Sequence, residues 1–280
     1  MAARGVGERQ VFRIPTDGEP FAEPDPVAVE EPLEIRIAGE PVAITMRTPG
    51  DDAKLAVGFL YAEGILRSVD DLGTVTHCGR PGEEGYGNVL DVVPASGASF
   101  DVDRLLGARR GTLTTAACGV CGRKSIDDLL QLCGTVPEGP RISREVLRTA
   151  TERLKDAQVL FTRTGGTHAA AALDAEGRVL ALFADVGSHN AVDKVVGALL
   201  YARSVGRAPQ GPRPAILAVS GRASFEVVQK AAMARIPVIA SVSAASTLAV
   251  DLAEKSGITL CNFVRGARFN VYAHPERLGP

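Results

Sequence analysis

The chain has 280 residues, 45% of them hydrophobic, with 31 Lys and Arg against 33 Asp and Glu for a formal charge of −2. That supplies one large core or two modest ones without disulfides or a structural metal, and it excludes a broad electrostatic footprint for nucleic acid or anionic lipid. Five cysteines is an odd number, no apolar signal region follows the N-terminus and no stretch approaches the roughly 20 apolar residues that span a bilayer, so a cytoplasmic chain with reduced thiols and no membrane partner is expected.

Residues 1–30, with "RIPTDGEPFAEPDP", are rich in Pro, Asp and Glu without an apolar period and read as a mobile or draped tail. From 31 to 142 a smaller α+β region is expected. "LEIRIAGEPVAITMR" alternates about Ala38-Gly39-Glu40 as a hairpin does, and "PGDDAKLAVGFLYAEGIL" offers Asp51 or Asp52 as a helix cap before a stripe of Leu55, Ala56, Phe59 and Leu60. "TVTHC" and "NVLDVV" read as strands.

The region 143–280 has a different rhythm. "REVLRTATERLKDA" has helical spacing, "VLFTRT" reads as a short strand, and "HAAAALDAEGRVLALFADVG" holds two apolar runs joined by a turn at Gly177. Then "AVDKVVGALLYAR", "SFEVVQKAAMAR" and "STLAVDLAEKSG" read as helices alternating with strands "AILAVSG", "PVIASVS" and "TLCNFV", closed by "RFNVYA". That alternation predicts a layered α/β sheet with parallel strand pairs.

Polar residues punctuate the strand ends: Gly165, Gly166 and His168, then Asp185 through His189 and Asn190 to Asp193-Lys194, then Ser220, Gly221 and Arg222. Ligands of open α/β sheets gather at such ends, so these loops form a candidate pocket. Taken singly, the histidines also fit structural roles and the glycines simple turns.

"TTAACGVCGRKSIDDL" carries a C-X-X-C of Cys118 and Cys121. A structural zinc site needs four ligands, and Cys78, Cys133 and Cys261 form no second such pair, although His77-Cys78 would supply two donors. A nucleobase deaminase needs H-X-E ahead of P-C-X-X-C, whereas here Ala117 precedes Cys118 and the H-X-E at His274 lies far behind. A thioredoxin-type dithiol should follow an apolar strand, and "RRGTLTTAA" is polar. Ser125 with Asp128 marks a helix start beside Arg123 and Lys124, an environment that favours thiolate, so a nucleophilic cysteine is expected.

The blocks "TPGDDAKLAVGFLYAEGIL", "AACGVCGRKSID", "FTRTGGTHAAA", "DVGSHNAVDKVVGALL", "SGRASFEVVQKAAMARIPVIASVSAASTLAVDLA" and "GITLCNFVRGARFNVYAHPERL" together resemble, in order over most of residues 40–280, the formate dehydrogenase accessory sulfurtransferase family, FdhD. The resemblance implies a cytoplasmic homodimer whose larger domain is cytidine-deaminase-like without that fold's zinc. It implies a sulfurtransferase that takes sulfur from a cysteine desulfurase and passes it, as a persulfide, to the bis-molybdopterin guanine dinucleotide cofactor before formate dehydrogenase apoprotein receives it. The family's persulfide position falls on Cys118 and its cofactor-contacting stretch on Phe263, Val264, Arg265, Gly266, Ala267 and Arg268; Cys121, three residues after Cys118, is expected to assist.

This chain departs from the family pattern at Ala184 and Ser188, where a carboxylate and a guanidinium are usual, and at Ala245, where proline is usual. Losing a planar fork at 188 removes a group suited to phosphate. Two other readings are a non-catalytic chaperone of the molybdenum cofactor and a zinc-stabilised nucleotide-binding module.

Overall fold

The computed structural model describes residues 5–80, 82–83, 86–101, 131–157, 159–204, 212–266 and 268–279. The C-X-X-C and the start of the helix expected after it lie outside these residues, as does Ala267, while residues 131–133 are helical.

Residues 6–28 carry regular structure that composition concealed. Strands β1 (Val6–Arg13) and β2 (Phe21–Ala28) pair antiparallel, with Val6 opposite Ala28 and Arg13 opposite Phe21. No residue of this ribbon is fully buried, so no apolar alternation is required of it, and a two-stranded ribbon tolerates Pro24 and Pro26 on its edge. Arg13 ties the ribbon crosswise to Glu23 and Asp25.

The expected hairpin follows as β3 (Glu31–Ile37) and β4 (Glu40–Arg47). Its corner places Ala38 at φ 48° and Gly39 at φ 87°, the left-handed pair that a two-residue turn between twisted strands needs. Helix α1 (Asp52–Ala62) comes next, burying Leu55, Ala56 and Leu60 of the expected stripe. Asp51 occupies its backbone cap position without a capping bond from its side chain. Asp52 turns inward instead, and its two carboxylate oxygens take Nε and Nη2 of the buried Arg47 at 3.0 and 3.1 Å. Strands β5 (Leu72–His77) and β6 (Val89–Pro94) complete a sheet of order β4-β3-β6-β5.

Beyond β7 (Ile142–Ser143), helix α2 (Arg144–Ala150) is capped by Ser143 Oγ, which accepts from Val146 N at 3.2 Å. The stretch "VLFTRT" is a correction: it forms helix α3 (Val159–Thr164), not a strand. Gly165, at φ 66°, ends this helix by donating its N–H to Phe161 O at 2.6 Å. Six residues are too few for periodicity to separate helix from strand, and the left-handed glycine cap decides the matter.

The large sheet runs in the order β13-β12-β11-β10-β8-β9. Its strands are β8 (His168–Leu173), β9 (Val179–Asp185), β10 (Ile216–Val219), β11 (Val238–Ser241), β12 (Thr259–Arg265) and β13 (Arg268–Ala273). β10, β11 and β12 are parallel neighbours, while β8 and β13 run antiparallel to β10 and β12. The connecting helices are α4 (Ser188–Ser204), α5 (Phe225–Met233) and α6 (Thr247–Ser256). A short β14 (Leu278–Gly279) pairs with β7.

The pleat of the sheet divides the interior in two. Leu217 faces a core that also holds Val192, Val195, Val228 and Leu252, whereas Ile216 and Ala218 face one built on Ile142, Leu147 and Leu154. The first core extends without a break into Leu33, Ile35, Leu55, Leu60 and Leu90, so the region before 143 and the region after it share one interior. Glycine makes the junction possible. A Cβ on Gly58 would stand 1.9 Å from Asp193 O and one on Gly197 2.0 Å from Lys54 O, so α1 and α4 cross with their backbones touching.

Candidate functional site

The register of the large sheet gathers the expected loops along one edge. His168 opens β8 opposite Asp185 at the end of β9, Ala170 lies opposite Val219 at the end of β10, and Val219 pairs with Ser241 at the end of β11. Because β12 runs parallel to β11, its far end at Arg265 emerges on the same edge. Three inter-strand steps from β8 to β12 make this edge roughly 15 Å long.

His168 is exposed, and a Cβ on Gly221 would stand 3.4 Å from its Nδ1 and 3.6 Å from Ser188 Cβ, so the three residues adjoin. Ser220 Oγ accepts from Ala169 N at 2.9 Å, tying the β10 loop to β8, and Gly221 O accepts from Ser241 Oγ at 2.7 Å. Arg222 is left exposed beside them. Gly221 thus lies between His168 and Ser188 at ordinary contact distance, with its carbonyl engaged by Ser241.

His189 sits in the first turn of α4 and reaches the start of α5. Its Nε2 is 3.3 Å from Ser224 Oγ and its Nδ1 contacts the Glu226 carboxylate. The contact with Glu226 alone favours the protonated ring. Burial works against it and prevails, helped by Lys230, His168 and Arg222, pushing the imidazole down to about 4. A neutral ring satisfies both neighbours when Nδ1–H donates to Glu226 and Nε2 accepts the Ser224 hydroxyl proton. Neither Ser224 nor Glu226 stood out in the sequence, where Ser-Phe-Glu at a helix start reads as ordinary capping chemistry. No local signal could have found them, because their partner His189 lies 35 residues before Ser224 in the chain.

Beneath this layer lies a rigid polar frame. Asp185 is fully buried and takes Lys194 Nζ at 2.6 Å, Thr48 N at 3.2 Å and Gly187 N at 2.8 Å. Lys194 also donates to Thr48 O at 3.0 Å. Asn190, expected among the ligand contacts, is buried with its amide engaged in the protein: Oδ1 accepts from Thr45 Oγ1 at 3.0 Å while Nδ2 donates to Met46 O and Asp185 Oδ1. These bonds fix the turn of 185–190 onto β4 and its following loop. A second buried pair, Lys230 with Asp193 at 2.7 Å, joins α5 to α4. Burial pushes the Asp193 carboxyl up to about 6 against the opposing pull of Lys230.

At the far end of the edge, β12 bulges between Asn262 and Arg265, and Phe263 adopts φ 54°. A left-handed non-glycine residue costs about 1–2 kcal/mol, which the surrounding bonds must offset. Phe263 N and Asn262 Nδ2 both donate to Ser243 O, at 3.2 and 2.9 Å. Val264 is fully buried, and its carbonyl accepts from Thr151 Oγ1 at 2.7 Å, so its side chain belongs to the core. Arg265 and Arg268 face each other across the turn at Gly266, and both are exposed. Gly165 and Gly166 stand apart from this line: Gly165 caps α3, and a Cβ on Gly166 would meet Ala28 Cβ at 3.2 Å, against the N-terminal ribbon.

Two of the three described cysteines are poorly placed as nucleophiles. Cys133 and Cys261 are buried, and burial drives the Cys261 thiol up to about 12, while Cys78 is half-buried. Among the described residues no cluster of three or more His, Cys, Asp or Glu is arranged to hold a metal ion. Nor is any helix among them long and apolar enough to cross a membrane.

A mixed α/β chain with histidine, glycine and exposed arginine aligned on the carboxyl edge of parallel strands has the layout of a protein that binds an anionic ligand. Residues 28–279 match the FdhD/NarQ family, and the chain belongs to it. It is 60% identical over 278 residues to Sulfur carrier protein FdhD of Anaeromyxobacter sp. (strain K), covering 99% of this chain and 95% of that one. The Sulfur carrier protein FdhD of Streptomyces avermitilis is 47% identical, over 98% of this chain and 96% of its own. The crystal structure of a putative formate dehydrogenase accessory protein from Desulfotalea psychrophila superposes with a TM-score of 0.73 over 98% of this chain and 99% of that one. At 24% identity, that likeness bears on the fold alone.

Proposed function

We propose that this protein is a cytoplasmic, homodimeric sulfurtransferase that takes sulfur from a cysteine desulfurase as a persulfide on Cys118. It passes that sulfur to bis-molybdopterin guanine dinucleotide, bound as its substrate, on the way to formate dehydrogenase apoprotein. The observation that carries the reading is the alignment of His168, Gly221 and Arg222 with Arg265 and Arg268 along one sheet edge. A ligand with phosphates needs exposed guanidinium donors and approachable backbone, and an elongated dinucleotide suits an edge of roughly 15 Å. Membership of a family whose relatives are named sulfur carriers supports the cargo. The order β9-β8-β10-β11-β12, with β8 antiparallel to β10, supports a cytidine-deaminase-like description of the larger layer.

The residues divide the work. Arg265, Arg268 and Arg222 hold anionic groups, while Gly221 and Gly266 admit them to the backbone. Phe263, strained and half-buried at the bulge, offers an aromatic face to a base. Ser188 contributes no charge at the α4 start, so affinity there rests on Arg222 and His168. Cys118 attacks as thiolate, favoured by the cations Arg123 and Lys124 that follow it in the sequence, and Cys121 takes part in releasing the sulfur.

Mass spectrometry after incubation with a cysteine desulfurase and cysteine tests the carrier step: an adduct of about 32 Da on the C-X-X-C peptide is expected from thiolate reactivity. An unmodified peptide under conditions that persulfurate the desulfurase itself would leave only a binding role.

A further inference from the structure

Ser224, His189 and Glu226 form a chain of contacts that sulfur transfer does not use. Ser224 Oγ lies 3.3 Å from His189 Nε2, and His189 Nδ1 contacts Glu226 on its other side. Ser224 is the cap residue of the nine-residue helix α5, yet its hydroxyl makes no capping bond to that helix. It is half-buried, the His189 side chain keeps 23% exposure, and Glu226 is nearly enclosed at 9%. An accessible hydroxyl, a base within reach and an enclosed carboxylate behind the base are the three roles of an activated serine, recognised by geometry and not by order in the chain.

We propose that Ser224, His189 and Glu226 are a nucleophilic relay that cleaves small acyl esters carrying an anionic group. Ser224 Oγ attacks the carbonyl carbon while its proton passes to His189 Nε2, and Glu226 balances the imidazolium through Nδ1. The tetrahedral intermediate expels the alcohol oxygen, which leaves with the proton from Nε2. A water then attacks the acyl-serine, gives its proton to Nε2, and the acid departs as Ser224 recovers its proton. The net reaction is ester plus water to acid plus alcohol, with no change of oxidation state. Negative charge on the carbonyl oxygen develops beside the positive end of α5, where first-turn amides stabilise an anion. Arg222, exposed two residues before Ser224, selects the anionic group. Ser224 is the catalytic nucleophile and His189 the base, while Glu226 is a positioning residue.

This goes beyond the sulfur-transfer reading and does not rest on it, so either can fail alone. The full chain is treated with a fluorophosphonate probe, digested and mapped by mass spectrometry, and in parallel assayed with p-nitrophenyl hemisuccinate. The expected label sits on Ser224, and Ser224→Ala abolishes both labelling and turnover. Glu226→Gln lowers kcat by roughly a hundredfold without raising KM, and Glu226→Asp restores part of the loss, which a merely structural carboxylate would not do. Wild-type Ser224 left unlabelled while the chain is folded by circular dichroism overturns the proposal, as does hydrolysis equal to that of Ser224→Ala.

Discussion

Lys194 Nζ stands 2.6 Å from Asp185 Oδ2 with only 3% and 0% of the two side chains exposed, and Thr48 bonds to both. The pair latches the loop after β4 to the start of α4, and so carries the frame beneath His189. Breaking a buried pair from one side leaves an uncompensated charge. Lys194→Met is therefore expected to cost about 3–5 kcal/mol in urea unfolding, and a loss under about 1 kcal/mol would show that the latch is not rigid.

The crossing of α1 and α4 gives a second expectation. With 2.0 Å between a Cβ on Gly197 and Lys54 O, Gly197→Ala must push the helices apart along the interior shared by both regions. Overpacking of this kind costs about 1–3 kcal/mol and occasionally more. Helix propensity alone would stabilise the alanine variant by about 1 kcal/mol, so the sign of the change in a denaturation midpoint separates the two effects.

The His189 ring, ordinarily near 6.5 and held at about 4 here, links stability to pH. The unfolded chain binds more protons than the native one between these values, so this group's contribution is intact above about 6.5 and declines as pH falls toward 4. From the linkage relation the loss between pH 7 and pH 5 is about 2 kcal/mol. Burial is the main cause of the depression, and Lys230, His168 and Arg222 reinforce it. Asp193, raised to about 6 by burial, acts in the opposite sense, adding stability as pH falls below about 6 toward its usual range. His189→Gln should therefore be less acid-sensitive than wild type across this window. Parallel unfolding curves for the two proteins from pH 7 to 5 would show that the ring titrates normally.

Much of the larger layer was legible because its inner strands β10, β11 and β12 are buried on both faces and its helices carry an apolar period, two patterns that survive in sequence. "AILAVSG" and "PVIASVS" read as strands from their continuous apolar runs, and the glycine and serine that end them marked the carboxyl edge of the sheet. Illegible features depended on neighbours distant in the chain. The N-terminal ribbon has no buried face to impose a period. Helix α3 was decided by its glycine cap. Asn190 looked like a ligand contact because nothing in its own segment announces Thr45 and Met46 as partners. Ser224 and Glu226 acquire meaning only when α4 brings His189 to them.

Arg265 and Arg268, exposed on either side of the Gly266 turn, should matter for binding and not for folding. Replacing both with Ala is expected to weaken GDP affinity by about tenfold or more, since each charge-assisted bond contributes about 1.5–3 kcal/mol at most, while leaving the unfolding midpoint within experimental error. Unchanged GDP affinity by calorimetry would remove this turn from the ligand edge.

Activation of formate dehydrogenase by a Cys118→Ala protein tests the sulfur-carrier account most directly. In the proposed carrier Cys118 supplies the attacking thiolate, so the substitution removes that group alone and leaves every contact described above along the sheet edge in place. The account predicts wild-type GDP binding and unfolding, no persulfide, and no active dehydrogenase when apo-dehydrogenase, desulfurase, cysteine and cofactor are supplied together. Activation at the wild-type rate by Cys118→Ala would contradict it.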